Sequence, residues 1–198
     1  MFDTEEKWNE HKVKVSKATA KYKANSLVPE NENLGIYSMD LQKVILLPIM
    51  PGVKDALFVS RLVAFNLTFC SLKQNPTTKN YCSMWHEGIA GRDGHNIVDA
   101  IFKVFQVERD VKDYIIWCDN CTGQNKNWIL YTALVYLINQ ESCGINSVSL
   151  RYLTKGHTHM SADGIHGNIE RIQKLGQIYD YEDLKEAVSS SRKKLLCT

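Results

Sequence analysis

Apolar positions along this chain follow two periods, and the change between them divides it. From residue 5 to 23, Trp8, His11, Val15, Ala18 and Tyr22 recur at steps of three and four among Lys and Glu. That spacing predicts a narrow-faced amphipathic helix, opened by Asp3 or Thr4 with Glu5 and Glu6 in its first turn. Its lysines read as a solvated face. Asn25–Asn33, with its Pro, Asn and Glu, reads as a linker. Residues 1–30 are therefore expected to be a helix and linker preceding a domain over 31–198.

Beyond the linker the period shortens. Leu34–Pro48 is predicted as a strand interrupted by Asp40 and Gln42, and Pro51-Gly52 with Lys54-Asp55 as a turn. Ala56–Cys70 is apolar on both faces, as in a central strand, with Leu57 and Phe58 at its start. Tyr81–Trp85 makes a third strand, and three strands with tight connections form an antiparallel meander. Helical spacing then appears in His95–Val107, and a strand in Tyr114–Cys118. Asn127–Asn139 is apolar nearly all round and so predicts a buried helix. Asn146–Thr154 is a fifth strand, and helices follow from Ser161 to Ile172 and over Tyr181–Leu195. A meander followed by βα units predicts a five-stranded mixed sheet with helices on both faces. That succession resembles the ribonuclease H-like α/β arrangement.

Composition narrows the choice only a little. The 198 residues, 44% hydrophobic, can bury one core, and a net charge of +2 excludes neither nucleic acid nor a small molecule. No apolar run spans a bilayer and no signal peptide is expected, so a membrane partner is not. The six scattered cysteines suit a reducing, intracellular setting. Cys118 and Cys121 form one CxxC without a second, which is weak support for structural zinc.

The candidate chemistry centres on Tyr114–Asn127, YIIWCDNCTGQNKN, where a strand ends in Asp119. Reactive groups gather at such carboxyl ends of α/β sheets, although Asp119-Asn120 equally suits a turn and helix cap. Ribonuclease H-like proteins place one acid on the first strand, a second after the fourth, and more on the last helix. Asp40 and Asp119 fall at the first two places, and Asp163, His166 and Glu170 follow at i, i+3 and i+7 on the last. Oxygen ligands with one imidazole suit Mg²⁺ or Mn²⁺. A two-ion site of this kind serves phosphodiester cleavage or strand transfer by stabilising attacking and leaving oxygens alike. Singly, each residue has a plainer role: Asp40 as a hydrogen-bonded core Asp, Asp163 as a helix cap, His166 as a half-buried histidine. Lys43, Asn120, Lys126, Lys155 and His157, with Arg92 and Arg171, are candidates to meet phosphates, and His159 is a weaker one.

The strings MDLQK (39–43), WHEGIAGR (85–92), CDNCTGQNKN (118–127) and GHTHMSADGIHGNIE (156–170) resemble an animal family of transposase-derived proteins with a ribonuclease H-like, integrase-type core. The resemblance covers about residues 34 to 190. It implies a DDE/DDD-type site carried by Asp40, Asp119 and Asp163, a DNA partner, multimeric action and a nuclear setting. Asn96 departs from the pattern, because many members carry Glu in that helix. The upstream DNA-binding or zinc-binding modules of a complete transposase are not seen either, which suits a fragment, a degenerate copy or a domesticated relative. Three functions are thus expected in order. The first is a two-metal nuclease or transposase core, the second a catalytically inactive module binding DNA or protein, and the third a metal-dependent phosphoesterase.

Overall fold

Strand β1 (Leu34–Leu41) explains the layering, because its alternate side chains enter different cores. Tyr37, Met39 and Leu41 turn to one face of the sheet, and Ile36, Ser38 and Asp40 to the other. In this computed structural model the described residues are 2–29, 31–53, 58–73, 79–191 and 195–198. After α1 (Phe2–Ser26) and β1 come β2 (Ile45–Leu47), β3 (Leu62–Ser71), β4 (Asn80–His86) and α2 (Gly94–Val107). The remainder is β5 (Asp113–Cys118), α3 (Trp128–Ile138), β6 (Ser147–Tyr152), α4 (Ser161–Leu175), α5 (Tyr181–Ser190) and β7 (Leu195–Cys197).

The sheet runs β6-β5-β1-β3-β4-β7, with β2 paired to β3. The β1–β3 and β3–β4 pairs are antiparallel, whereas β1–β5, β5–β6 and β4–β7 are parallel. The protein is thus a mixed α/β fold, and the expectation of five strands is corrected to seven. The first apolar run breaks at Gln42, whose side chain is recruited by Asn66 (2.9 Å), and resumes as β2. Helix α5 ends at Ser190 rather than Leu195, and Leu195–Cys197 pairs with β4 instead. The central strand also starts later than expected. Phe58 is 86% exposed and Val59 is exposed, so neither belongs to a buried strand. Lys54, Asp55, Ala56 and Leu57 lie outside the described residues, as do Arg192, Lys193 and Lys194.

Helices α2 and α3 cover one face of the sheet. Ile97, Ile101 and Val104 of α2 meet Phe65, Leu67 and Phe69 of β3 in the larger core. The other face carries α4 and α5, where Ala162, Ile165, Ile169, Leu184 and Val188 pack on Ile45, Ala64 and Met84. The second half of α1 docks on that same face: Ala18 and Tyr22 pack with Ile36, Trp117 and Met160. Asn25 accepts the Trp117 indole N–H (3.0 Å). Helix α3 is not the buried helix its composition predicts. Leu130 and Leu134 are buried, but Trp128 is 82% exposed and Val135 and Tyr136 are exposed too, because an outer-layer helix offers the core a single stripe. Among the described residues, no helix is long and apolar enough to cross a membrane.

Candidate functional site

Parallel pairing of β1 with β5 sets Ser38 opposite Trp117. Asp40 and Asp119 each lie two residues further on, so both sit at the carboxyl ends of neighbouring strands. They share the pleat face of Ile36, Ser38, Ile115 and Trp117, which looks towards α1 and α4. The start of α4 is fixed against the same place: Ser38 Oγ accepts from the Ala162 amide at 3.1 Å. The third and sixth residues of α4, Asp163 and His166, are thereby delivered over the end of β1.

Ligand atoms of Asp40, Asp163 and His166 all lie within 4.8 Å of one another, and this is the one such group of three or more His, Cys, Asp or Glu among the described residues. His166 Nδ1 is 3.6 Å from Asp40 Oδ2. Asp163 Oδ2 accepts from the Met160 amide (2.7 Å) and faces His159 Nδ1 at 3.2 Å. It therefore caps its own helix and belongs to the acid cluster at once. Asp119 is outside the 4.8 Å group but close enough to raise Asp40 electrostatically. Its Oδ1 accepts from the Cys121 amide (3.0 Å) and from Asn125 Nδ2 (2.6 Å). Asn125 is itself buried, and its carbonyl accepts the Tyr152 hydroxyl at 2.6 Å. The polar loop after β5 is thus tied to β6, and it aims Asp119.

The electrostatics are those of crowded acids. Burial, then the charges of Asp119 and Asp163, push the Asp40 carboxyl up to about 7. Burial pulls His166 down to about 4, against the pull of Asp163. At neutral pH the imidazole is uncharged, so its approach to Asp40 is no ion pair. His166 Nε2 is buried without a hydrogen-bond partner. Two carboxylates and an imidazole, with a third carboxylate beside them, fit a hard divalent cation that takes oxygen and nitrogen ligands.

The other expected residues are distributed as follows. Glu170 is exposed and outside the cluster, because seven residues carry it about 10 Å along the helix axis. Asn120 donates to the Leu153 carbonyl, and Lys126 reaches Asn120 Oδ1 (3.4 Å) and lies over the Tyr152 ring. Lys43, Lys155, Arg92 and Arg171 are exposed, and the positive charge of Arg92 is felt by Asp40. His157 lies against His11 of α1, ring centroids 5.5 Å apart. Asn96 is committed to a capping box with Asp93 and Asp99 is exposed, so α2 adds no carboxylate to the cluster, and Glu87, just after β4, accepts from the Val63 amide instead. Sequence reasoning passed over Asn125 and Ser38. The first stands in the polar string after Asp119, but nothing in the sequence singles it out as the residue that holds the carboxylate.

Fold and cluster together define a mixed α/β domain with an acid–imidazole group at its strand ends. The chain belongs to the family described as domain of unknown function (DUF7869), whose model matches residues 92–197. Comparison with curated proteins gives no match. Among solved structures, one similar chain comes from the cryoEM structure of the simian T-cell lymphotropic virus intasome in complex with PP2A regulatory subunit B56 gamma. The TM-score is 0.46 at 9% identity, over 86% of this chain and 53% of that one. This chain spans about half the length of that one, and a likeness so distant does not bear on function.

Proposed function

We propose that the domain is a ribonuclease H-like core of transposase or integrase descent that cleaves or transfers phosphodiester bonds in DNA with divalent cations. The observation that carries this reading is the convergence of Asp40, Asp163 and His166 within 4.8 Å, beside Asp119. The sheet supports it. Without β2 and β7, the order β6-β5-β1-β3-β4, with an antiparallel β1, β3, β4 set and parallel β5 and β6, agrees with the succession expected of a ribonuclease H-like core.

In this reading Asp40, Asp163 and His166 hold Mg²⁺ or Mn²⁺, and Asp119 supplies the remaining carboxylate of a two-ion site. Bound there, such ions stabilise the attacking and leaving oxygens of an in-line displacement. The chain's own part is to hold the acids. Asn125 and the Cys121 amide fix Asp119, the Met160 amide fixes Asp163, and burial keeps His166 neutral and able to ligate. Arg92, whose charge reaches Asp40, and the exposed Lys43, Lys126 and Lys155 are the cations assigned to phosphates in this reading.

A second reading keeps the fold as a DNA- or protein-binding module without cleavage. It is favoured by Asn96, whose carboxamide closes a helix cap where a further carboxylate is expected.

The deciding experiment is Mn²⁺-dependent cleavage of labelled single- and double-stranded DNA by wild type and Asp119→Asn. Cleavage reduced by several orders of magnitude in the variant, with folding unchanged, is the expected result. No cleavage by either protein, together with no Mn²⁺-induced change in thermal stability, overturns the catalytic reading and leaves the binding module.

A further inference from the structure

The docking face of α1 continues past the domain it docks on. Between residues 5 and 25, the positions withdrawn from solvent are His11, Val15, Ala18, Tyr22 and Asn25, one helical row. Trp8 stands three residues before His11 on the same row, yet it is 54% exposed. Its ring stacks on His11, centroids 5.7 Å apart and planes at 16°. His11 in turn lies 5.5 Å from His157. Two residues on, His159 Nδ1 is 3.2 Å from Asp163. A row of three rings therefore leads from the open end of α1 to the loop bordering the acid cluster.

Charge follows the same path. The acids Asp3, Glu5, Glu6 and Glu10 are confined to the first ten residues, and from His11 to Ser26 the helix carries Lys12, Lys14, Lys17, Lys21 and Lys23 and no acid. Lys12 Nζ sits 5.3 Å over the Trp8 ring. Trp8 and His157, exposed at the two ends of the ring row, with Lys12, Lys17, Lys21 and Lys23 beside it and Lys14 shared with Glu10 (3.6 Å), suit a ligand that presents both flat π-faces and a polyanionic backbone.

We propose that Trp8, His11 and His157 form a stacking platform for the bases of a single DNA strand, whose phosphates run along the α1 lysines towards the acid cluster. The direction of the strand rests on the proposed cleavage site; the platform itself does not. A duplex keeps its base faces stacked internally, so unpaired or frayed strands are the class selected.

The test is fluorescence anisotropy in EDTA with a labelled twelve-nucleotide oligothymidylate and a blunt duplex of the same length. Wild type, Trp8→Ala and Trp8→Phe are compared across a salt series. Expected for Trp8→Ala is about tenfold weaker binding of the single strand, with unchanged salt dependence and unchanged duplex binding, and recovery of most affinity in Trp8→Phe. Unaltered single-strand affinity in Trp8→Ala overturns the platform, as does equal weakening on single strand and duplex. If wild type fails to bind the single strand, the platform also falls. Loss of cleavage in Asp119→Asn is scored separately, so the site can survive failure of the platform.

Discussion

His166 Nδ1 lies 3.6 Å from Asp40 Oδ2, joining the second turn of α4 to the end of β1. The pair is neither an ion pair nor a hydrogen bond: burial keeps the imidazole neutral, and the distance is too long for a shared proton. With Asp163 inside the same 4.8 Å and Asp119 adding repulsion, the arrangement costs stability until positive charge offsets it. The proposed divalent cation would offset that cost.

Binding of a cation to the folded state alone raises stability by mass action, about 2.7 kcal/mol at a hundred times the Kd. Mn²⁺ is therefore expected to raise the Tm of wild type in differential scanning fluorimetry. Asp40→Asn should abolish that rise while leaving the protein in EDTA at least as stable as wild type. A Tm that rises equally in both proteins would remove Asp40 from the ligand set.

The two shifted groups also set a pH signature for the protein in EDTA. Asp40 is raised from 3.8 to about 7, so its contribution to stability is full below 3.8 and is lost as pH rises through about 7. His166 is lowered from 6.5 to about 4, so its contribution is full above 6.5 and is lost as pH falls through about 4. Between these limits the slopes oppose each other. Urea midpoints of Asp40→Asn should rise with pH between about 4 and 6.5, those of His166→Gln should fall with pH up to about 7, and wild type should lie flatter than either. Parallel profiles in all three would show that neither shift exists.

Asn125 holds Asp119 at 2.6 Å, which in the proposed site makes it a positioning residue. Replacing groups that orient a metal ligand costs about 10–100-fold in affinity. Asn125→Ala should weaken Mn²⁺ binding in calorimetry by that factor and lower cleavage in step with it. If stability falls while Mn²⁺ affinity stays put, Asn125 is a packing residue only.

Asn25 fastens α1 to the domain by accepting from Trp117 Nε1 and Arg151 Nη1. Asn25→Ala leaves the Trp117 indole N–H buried and unpaired, which costs about 1–3 kcal/mol. The loss should show in urea unfolding, accompanied by faster proteolysis within α1. An unchanged unfolding midpoint would mean that another group or water takes up the indole.

Much of this layout is legible in the chain itself, for local reasons. Near-continuous apolar runs over Leu34–Leu41 and Tyr114–Cys118 declare strands covered on both faces, and the row Ile97, Ile101, Val104 declares a helix that buries one. Asp40 and Asp119 stand out because an acid in or just after an apolar strand is costly without a purpose. Other features depend on partners far along the chain. β7 is three residues that make a strand only beside β4, and α3 looks buried by composition but lies on the outside because α2 and the sheet need only its Leu130–Leu134 stripe. Glu170 keeps the face of Asp163 in projection, but rise along the helix carries it away from the strand ends. That Asp163 and His166 meet Asp40 while Asn96 does not was decided by tertiary structure, through the Ser38–Ala162 hydrogen bond and the Asp93 cap. Periodicity specifies which way a side chain faces; only packing between distant segments specifies what it faces.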